Sequence, residues 1–115
     1  MSAVTTHVLD TAAGRPAAGV PVTLEARDEA GVWREVGRGR TDADGRLRDL
    51  LPADFALRAG AYRLTFDVGT YFAARGVEGF YTEVSVSFVV RDAVAHYHVP
   101  LLLSPYGYST YRGRY

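Results

Sequence analysis

Short stretches in which apolar and polar residues alternate run through the chain and predict strands rather than helices. The alternation is clearest in 20–27, 61–68 and 80–91. Loops rich in Gly and Asp, such as 28–31, separate the stretches and are typical of tight turns. Further strands are expected at 4–9, 32–40, 46–50, 96–103 and from 109 to the end. The segment 69–76 is the one plausible helix, about two turns long.

About eight short strands with frequent turns predict an all-β fold, namely an antiparallel β-sandwich of about eight strands with one short helix. A closed barrel is the alternative arrangement of the same strands. The length of 115 residues is close to the usual size of one domain. We therefore expect a single domain over 1–115 with a core of its own.

The charge balance and the absence of cysteine limit what the chain is expected to bind and where it is expected to occur. The chain has 13 basic and 13 acidic residues, so its formal net charge is zero, which removes the simplest electrostatic argument for nucleic acid or an anionic membrane. It has no cysteine, hence no disulfide framework and no thiolate metal site. The first ten residues do not resemble a signal peptide, and no stretch reaches the roughly 20 apolar residues of a membrane span. We expect a cytoplasmic protein.

The histidines are predicted to point away from the core. Successive strand side chains alternate between faces, and in 96–103 one set is entirely apolar or aromatic and should face the core: Tyr97, Val99, Leu101 and Leu103. His96 and His98 then share the outer face with Pro100 and Leu102. His7 also points outward if Val4 and Val8 face the core. An outer face that mixes Leu, Pro and His would be covered by another copy of the chain.

Three kinds of chemistry could use these histidines. His7, His96 and His98 could supply three ligands to zinc. Alternatively, a histidine with a pKa near 6.5 could act as a general acid–base group in a hydrolysis. Finally, Arg46 and Arg112 could bind an anionic ligand without any reaction. No motif for an activated serine or cysteine nucleophile is present.

Five stretches are specific enough to resemble a known family. They are THVLDT (6–11), GRPAAGV (14–20), TDADGR (41–46), FYTEV (80–84) and HYHVPLLLSPYGYSTYRG (96–113). The chain resembles the 5-hydroxyisourate hydrolases, the transthyretin-related enzymes of urate breakdown. The resemblance implies a transthyretin-like sandwich and a homotetramer with a central channel. It also implies hydrolysis of 5-hydroxyisourate to 2-oxo-4-hydroxy-4-carboxy-5-ureidoimidazoline without a metal or organic cofactor.

The resemblance also implies roles for individual residues. His7, Arg46 and His98 match the family's catalytic set, with His7 and Arg46 also binding substrate. Tyr111 and Arg112 match its substrate-binding tail, and His96 is a further candidate for substrate binding. In the implied mechanism His7 and His98, from facing sheets or subunits, activate a water. A small-molecule carrier of the transthyretin type and a zinc-dependent hydrolase on the three histidines remain the alternatives.

The chain departs from the family at its last two residues. The family's tail ends in Tyr-Arg-Gly-Ser, whereas here Arg114 stands at the serine position and Tyr115 follows it. A role for the serine hydroxyl is therefore missing, and Arg114 adds a cation beside the predicted substrate-binding residues.

Overall fold

The computed structural model describes residues 2–114, which form nine strands and one helix. The strands are β1 (Val4–Asp10), β2 (Arg15–Pro16), β3 (Pro21–Arg27), β4 (Trp33–Arg40), β5 (Arg46–Leu47), β6 (Gly60–Phe66), β7 (Val84–Val90), β8 (Tyr97–Ser104) and β9 (Gly107–Thr110). The helix α1 spans Val68–Ala74. Within the described residues, no helix has the length and apolar character needed to cross a membrane.

The strands form two sheets, which confirms the predicted sandwich. One sheet has the order β2-β1-β8-β9, with β5 also paired to β1, and the other has the order β4-β3-β6-β7. The predicted antiparallel pairing is found between every pair of neighbouring strands except β1 and β8, which run parallel. Because 86 residues lie between the end of β1 and the start of β8, the alternation within each strand could not reveal that the two strands pair.

The core lies between the sheets, where the predicted alternation places it. In β8 the four residues expected to face inward are all buried, and the matching positions of β3 and β6 are buried opposite them. Removing this apolar surface from water is the main stabilising contribution of the sandwich. The apolar strand residues with at most 1 % exposure are Val4, Val8, Val22, Leu24, Leu64, Phe66, Val84, Val90, Leu101 and Leu103.

The predicted strand 80–91 begins later than expected, at Val84. Its first residues bond to loops instead of to a neighbouring strand. The backbone N–H of Phe80 donates to the carbonyl of Pro105 (2.8 Å), and the carbonyl of Thr82 accepts from the N–H of Gly69 (2.9 Å). The segment 80–83 therefore ties the start of α1 to the β8–β9 turn.

Other element boundaries also differ from the prediction. The strand expected at 46–50 ends at Leu47, and the last strand spans Gly107–Thr110 instead of running from 109 to the end of the chain. The helix begins one residue early because the Asp67 side chain accepts from the Thr70 N–H at 3.1 Å and caps it.

Candidate active site

The outer face of the β1–β8 sheet gathers the predicted site residues through strand register. In one row His7 of β1 pairs with Arg46 of β5 on one side and with Pro100 of β8 on the other. In the next row Thr5 pairs with His98, which is bridged in turn to Gly113. Since paired residues point to the same face of a sheet, Arg46, His7 and His98 lie on one surface.

A tight turn holds Arg46 beside His7. The carboxylate of Asp42 accepts hydrogen bonds from the backbone N–H groups of Asp44 and Arg46, both at 2.9 Å. The carbonyl of Gly45 accepts from the N–H of Val8 at 2.7 Å, which fastens the turn to β1. The sequence TDADG therefore forms an Asx-type turn, which brings Arg46 to the histidine face.

His7 has a defined hydrogen-bonding partner. Its Nε2 lies 2.9 Å from the carbonyl oxygen of Asp44. Because a carbonyl can only accept, Nε2 carries the proton, and the neutral ring keeps its lone pair on Nδ1. Burial lowers the pKa of His7 below its ordinary 6.5, as does the charge of Arg46, while the bond to Asp44 opposes the shift. The neutral, basic form therefore dominates at pH 7.

His98 is more enclosed than the sequence predicted. It lies on the predicted outer face of the sheet, but it is only 5 % exposed, because Thr5 and Gly113 lie against it. Burial lowers its pKa below 6.5, and the charges of Arg46, His96 and His7 lower it further. His7 and His98 stand on neighbouring strands of one sheet, and not on facing sheets of the same chain.

His96 precedes β8 and its ring lies beside that of His98. The ring centroids are 6.5 Å apart with an interplanar angle of 26°. The Thr5 hydroxyl lies between the two rings, 2.8 Å from His98 Nδ1 and 3.1 Å from His96 Nε2. Burial lowers the pKa of His96 as well. The backbone carbonyl of His96 accepts a hydrogen bond from Arg112 Nη2 at 3.3 Å.

The tail continues beside β8 after β9 ends. The bridge between His98 and Gly113 continues the antiparallel alignment that pairs Leu101 with Thr110, so the tail stays in register with β8 beyond β9. Pro100 between them has no N–H to donate, which interrupts the ladder. Tyr111 is therefore level with Pro100 in the row of Arg46 and His7, and it is 57 % exposed.

Arg112 lies away from the face that carries His7. It is level with Val99, and its guanidinium carbon lies 4.5 Å from the centre of the Tyr97 ring, on the core side of β8. It borders, with Tyr111, a separate apolar cavity of about 230 Å³. The single chain therefore brings His7, Arg46 and His98 together but places Arg112 behind them.

Gly113 is positioned by a close approach to β8. Its N–H donates to the His98 carbonyl at 2.8 Å, and a Cβ at this position would lie 3.0 Å from His98 Cδ2 and from Pro100 Cγ. A Cβ here would therefore press on the imidazole and on the Pro100 ring, which would have to shift by a few tenths of an ångström. Arg114 borders an open cleft of about 560 Å³ with His96 and Arg112. Tyr115 lies outside the described residues.

A metal site is not formed by the described part of the chain. Over residues 2–114, no group of three or more His, Cys, Asp or Glu side chains is placed to hold a metal ion. Nε2 of His7 is directed at a backbone carbonyl, and the other two histidines share the Thr5 hydroxyl. The zinc alternative therefore finds no ligand set among residues 2–114.

The comparison with family models decides the family. Residues 4–113 match the model described as HIUase/Transthyretin family. The chain belongs to this family. The matched range includes both rows of the histidine face and the tail through Gly113, so the resemblance noted in the sequence is confirmed.

Members of the HIUase/Transthyretin family with known names are similar over nearly the whole length. A 5-hydroxyisourate hydrolase of Caulobacter vibrioides is 49% identical over 118 residues, covering 98% of this chain and 99% of the relative. The structure of a Klebsiella pneumoniae 5-hydroxyisourate hydrolase has a TM-score of 0.82 at 39% identity, covering 96% of this chain and 98% of that one. A sea bream transthyretin in complex with thyroxine has a TM-score of 0.91 at 30% identity, covering 99% and 97%. The family's fold is thus common to hydrolases and a hormone-binding protein, and only the site residues can separate the two activities.

Sequence reasoning missed Thr5 as a member of the site. Thr5 is fully buried and contacts two histidines more than 90 positions away. The alternation along β1 places Thr5 on the same outer face as His7. It does not predict the parallel pairing with β8, which brings His98 beside Thr5.

Arg46 is expected to contribute, after burial, to the lowered pKa values of His7 and His98. Its positive charge disfavours protonation of His7 and His98, so its removal should raise both pKa values toward 6.5. In Arg46→Gln, the deprotonated forms should therefore appear only at higher pH than in the unmodified protein. NMR titration of the imidazole C–H signals measures this directly. Arg48→Gln is the matched control, because Arg48 pairs with Asp42 at 3.3 Å; equal shifts in both variants would contradict the assignment.

Proposed function

We propose that this chain is a 5-hydroxyisourate hydrolase, which opens the ring of 5-hydroxyisourate to give 2-oxo-4-hydroxy-4-carboxy-5-ureidoimidazoline. The observation that carries the proposal is the register of β5, β1 and β8, which sets Arg46, His7 and His98 on one sheet face. Two neutral imidazoles beside a fixed cation suit the addition of water to a carbonyl. The names of the similar family members support the same activity.

In the proposed reaction a histidine removes a proton from water as the water oxygen attacks the C6 carbonyl. His7 suits this step, because its bond to Asp44 leaves Nδ1 as the basic nitrogen. Arg46 stabilises the negative charge that develops on the carbonyl oxygen. The bond from C6 to the ring nitrogen then breaks, and that nitrogen receives a proton from an imidazole. The water's oxygen remains in the new carboxylate, and no cofactor is consumed.

We propose supporting roles for the remaining predicted residues. Tyr111 is level with Pro100 in the row of His7, so its phenol can orient the ring or the water from the tail side. His96 contacts His98 through Thr5. Arg112 lies behind the sheet in the single chain, and its proposed contact with the acidic substrate requires a face contributed by another copy.

A carrier function is the alternative within the same fold. The similarity to sea bream transthyretin supports it at the level of the backbone. A channel for an apolar aromatic ligand, however, gains nothing from two imidazoles with lowered pKa values beside a guanidinium group. We therefore favour hydrolysis.

The direct test follows the decay of 5-hydroxyisourate by ultraviolet absorbance with and without the protein. We expect decay in proportion to the protein concentration and unaffected by strong chelators. Decay at the spontaneous rate would overturn the proposed function. Activity that is lost with chelator and restored by zinc would favour the metal-dependent alternative instead.

We also propose a homotetramer. Several large apolar or aromatic side chains are exposed on the single chain, and a second copy would cover them. Sedimentation equilibrium should give four times the chain mass of 12.6 kDa; a monomer at assay concentration would contradict the proposal. The exposed set includes Phe80, Val89, Tyr106, Tyr108 and Tyr111.

A role in urate breakdown, which rests on the family resemblance, completes the proposal, together with a cytoplasmic location, which fits a chain without cysteine. Fractionation of cells that express the chain tests the location. Recovery of the protein outside the cytoplasmic fraction would contradict it.

A further inference from the structure

The hydroxyl of Thr5 is shared by two imidazoles. Its oxygen lies 2.8 Å from Nδ1 of His98 and 3.1 Å from Nε2 of His96. The residue has no exposed surface, so water cannot replace either contact. Threonine is β-branched and rigid about χ1, which fixes the hydroxyl in space. Nothing in the proposed reaction accounts for this residue.

A buried hydroxyl imposes a rule on the two rings. It has one proton to donate and lone pairs to accept, and a buried hydroxyl proton without an acceptor is unfavourable. The structure gives Thr5 no other side-chain hydrogen bond than these two. The hydroxyl therefore donates to one ring nitrogen and accepts from the other. Of the two nitrogens that face Thr5, one carries a proton and the other does not.

The rule links the tautomers of the two neutral rings. If His98 donates from Nδ1, Thr5 donates to Nε2 of His96, and both rings carry their proton on Nδ1. If Thr5 instead donates to Nδ1 of His98, both rings carry it on Nε2. In either case His96 and His98 have the same tautomer, and one cannot change without the other.

We infer that Thr5 is a positioning residue that fixes the tautomer of His98 and couples it to that of His96. Its importance for turnover rests on the proposed function, whereas the coupling itself does not. His98 is 5 % exposed, while His96 borders an open cleft of about 560 Å³. Thr5 thus connects the enclosed imidazole to one at the surface. The charged groups nearby are Arg46 and His7 on the side of His98, and Arg112 and Arg114 on the side of His96.

Thr5→Val removes the hydroxyl but keeps the shape, and Thr5→Ser keeps the hydroxyl. Long-range proton–nitrogen NMR on protein with ¹⁵N-labelled histidine reports the tautomer of each ring. In the unmodified protein at a pH above both pKa values, we expect His96 and His98 to share one tautomer. Thr5→Val should shift the tautomer population of His98 away from that of His96, and Thr5→Ser should restore the shared form. Different tautomers in the unmodified protein, or an unchanged His98 in Thr5→Val, would overturn the inference.

Kinetics provide the second readout. Thr5→Val should lower kcat by about tenfold, which is the scale of one lost hydrogen bond, with a smaller effect on KM. Thr5→Ser should recover most of this loss. Thr6→Val is the matched control, because Thr6 is equally buried but bonds the Val99 carbonyl at 2.6 Å. It should leave the tautomers unchanged, and equal kinetic losses in both valine variants would contradict a specific role of Thr5.

The two readouts separate failure of this inference from failure of the proposed function. If the unmodified protein does not hydrolyse 5-hydroxyisourate, the proposed function fails, and the NMR result still decides the coupling. If the protein is active and Thr5→Val keeps both its tautomer and its kcat, the inference fails and the proposed function stands.

Discussion

Replacing His7 or His98 with Asn is expected to lower kcat for 5-hydroxyisourate by roughly 10²–10⁴-fold, the usual contribution of a positioned acid–base group. Asparagine removes the titrating nitrogen and keeps a polar amide of similar reach. His7 should lose its basic Nδ1, and His98 the imidazole that lies closest to Thr5. Both variants should retain the fold, since neither side chain belongs to the apolar core between the sheets.

His96→Asn is the matched control for these two variants. It removes the third imidazole but leaves the contact between Thr5 and His98, so its loss in kcat should be much smaller. Circular dichroism and thermal unfolding establish that each variant is folded. Turnover within about threefold of the unmodified protein in both His7→Asn and His98→Asn would rule out their roles as acid–base groups.

Gly45→Ala is expected to lower the free energy of unfolding by about 2–4 kcal/mol, because it combines backbone strain with a steric clash. Gly45 has a φ of 76°, in the left-handed region that disfavours residues with a Cβ. The added Cβ would also press against the carbonyl oxygen of Val8, which lies in β1 beside His7. The turn would move, carrying with it Arg46 and the Asp44 carbonyl that orients His7, so activity should fall too.

Gly19→Ala separates the two causes. Gly19 has the same φ of 76°, but no atom lies within 4 Å of the added Cβ. In this variant the free energy of unfolding should therefore fall only by the cost of the backbone strain, about 1–2 kcal/mol. Urea unfolding of both variants measures the difference. Equal losses would show that contact with Val8 contributes nothing, and no loss in Gly45→Ala would contradict the turn's assigned role.

Some features of the candidate site were predictable from the sequence, and others depend on the tertiary structure. The turn that carries Arg46 was predictable, because Asp42 and Gly45 satisfy local hydrogen-bonding and φ requirements by themselves. The shared outward face of His96 and His98 was predictable from alternation along one strand. The burial of His98 was not, because it depends on Thr5 from β1 and on Gly113 from the tail.

The tail provides the same contrast. The family resemblance implied a common role in substrate binding for the neighbours Tyr111 and Arg112. The structure places Tyr111 level with the row of His7 and Arg112 over Tyr97 on the core side, and both side chains border one apolar cavity. Their register to β8 decides these positions, and the sequence does not show that register.

The sequence by itself determined most of the strands, the apolar positions of the core and the family, because these depend on local periodicity and on contiguous motifs. It also named the chemical groups, His7, Arg46 and His98. Only the tertiary structure decided which groups meet, since the parallel pairing of β1 with β8 joins residues more than 90 positions apart. That pairing places Thr5 between two imidazoles, and burial together with the charge of Arg46 then lowers the pKa of His98.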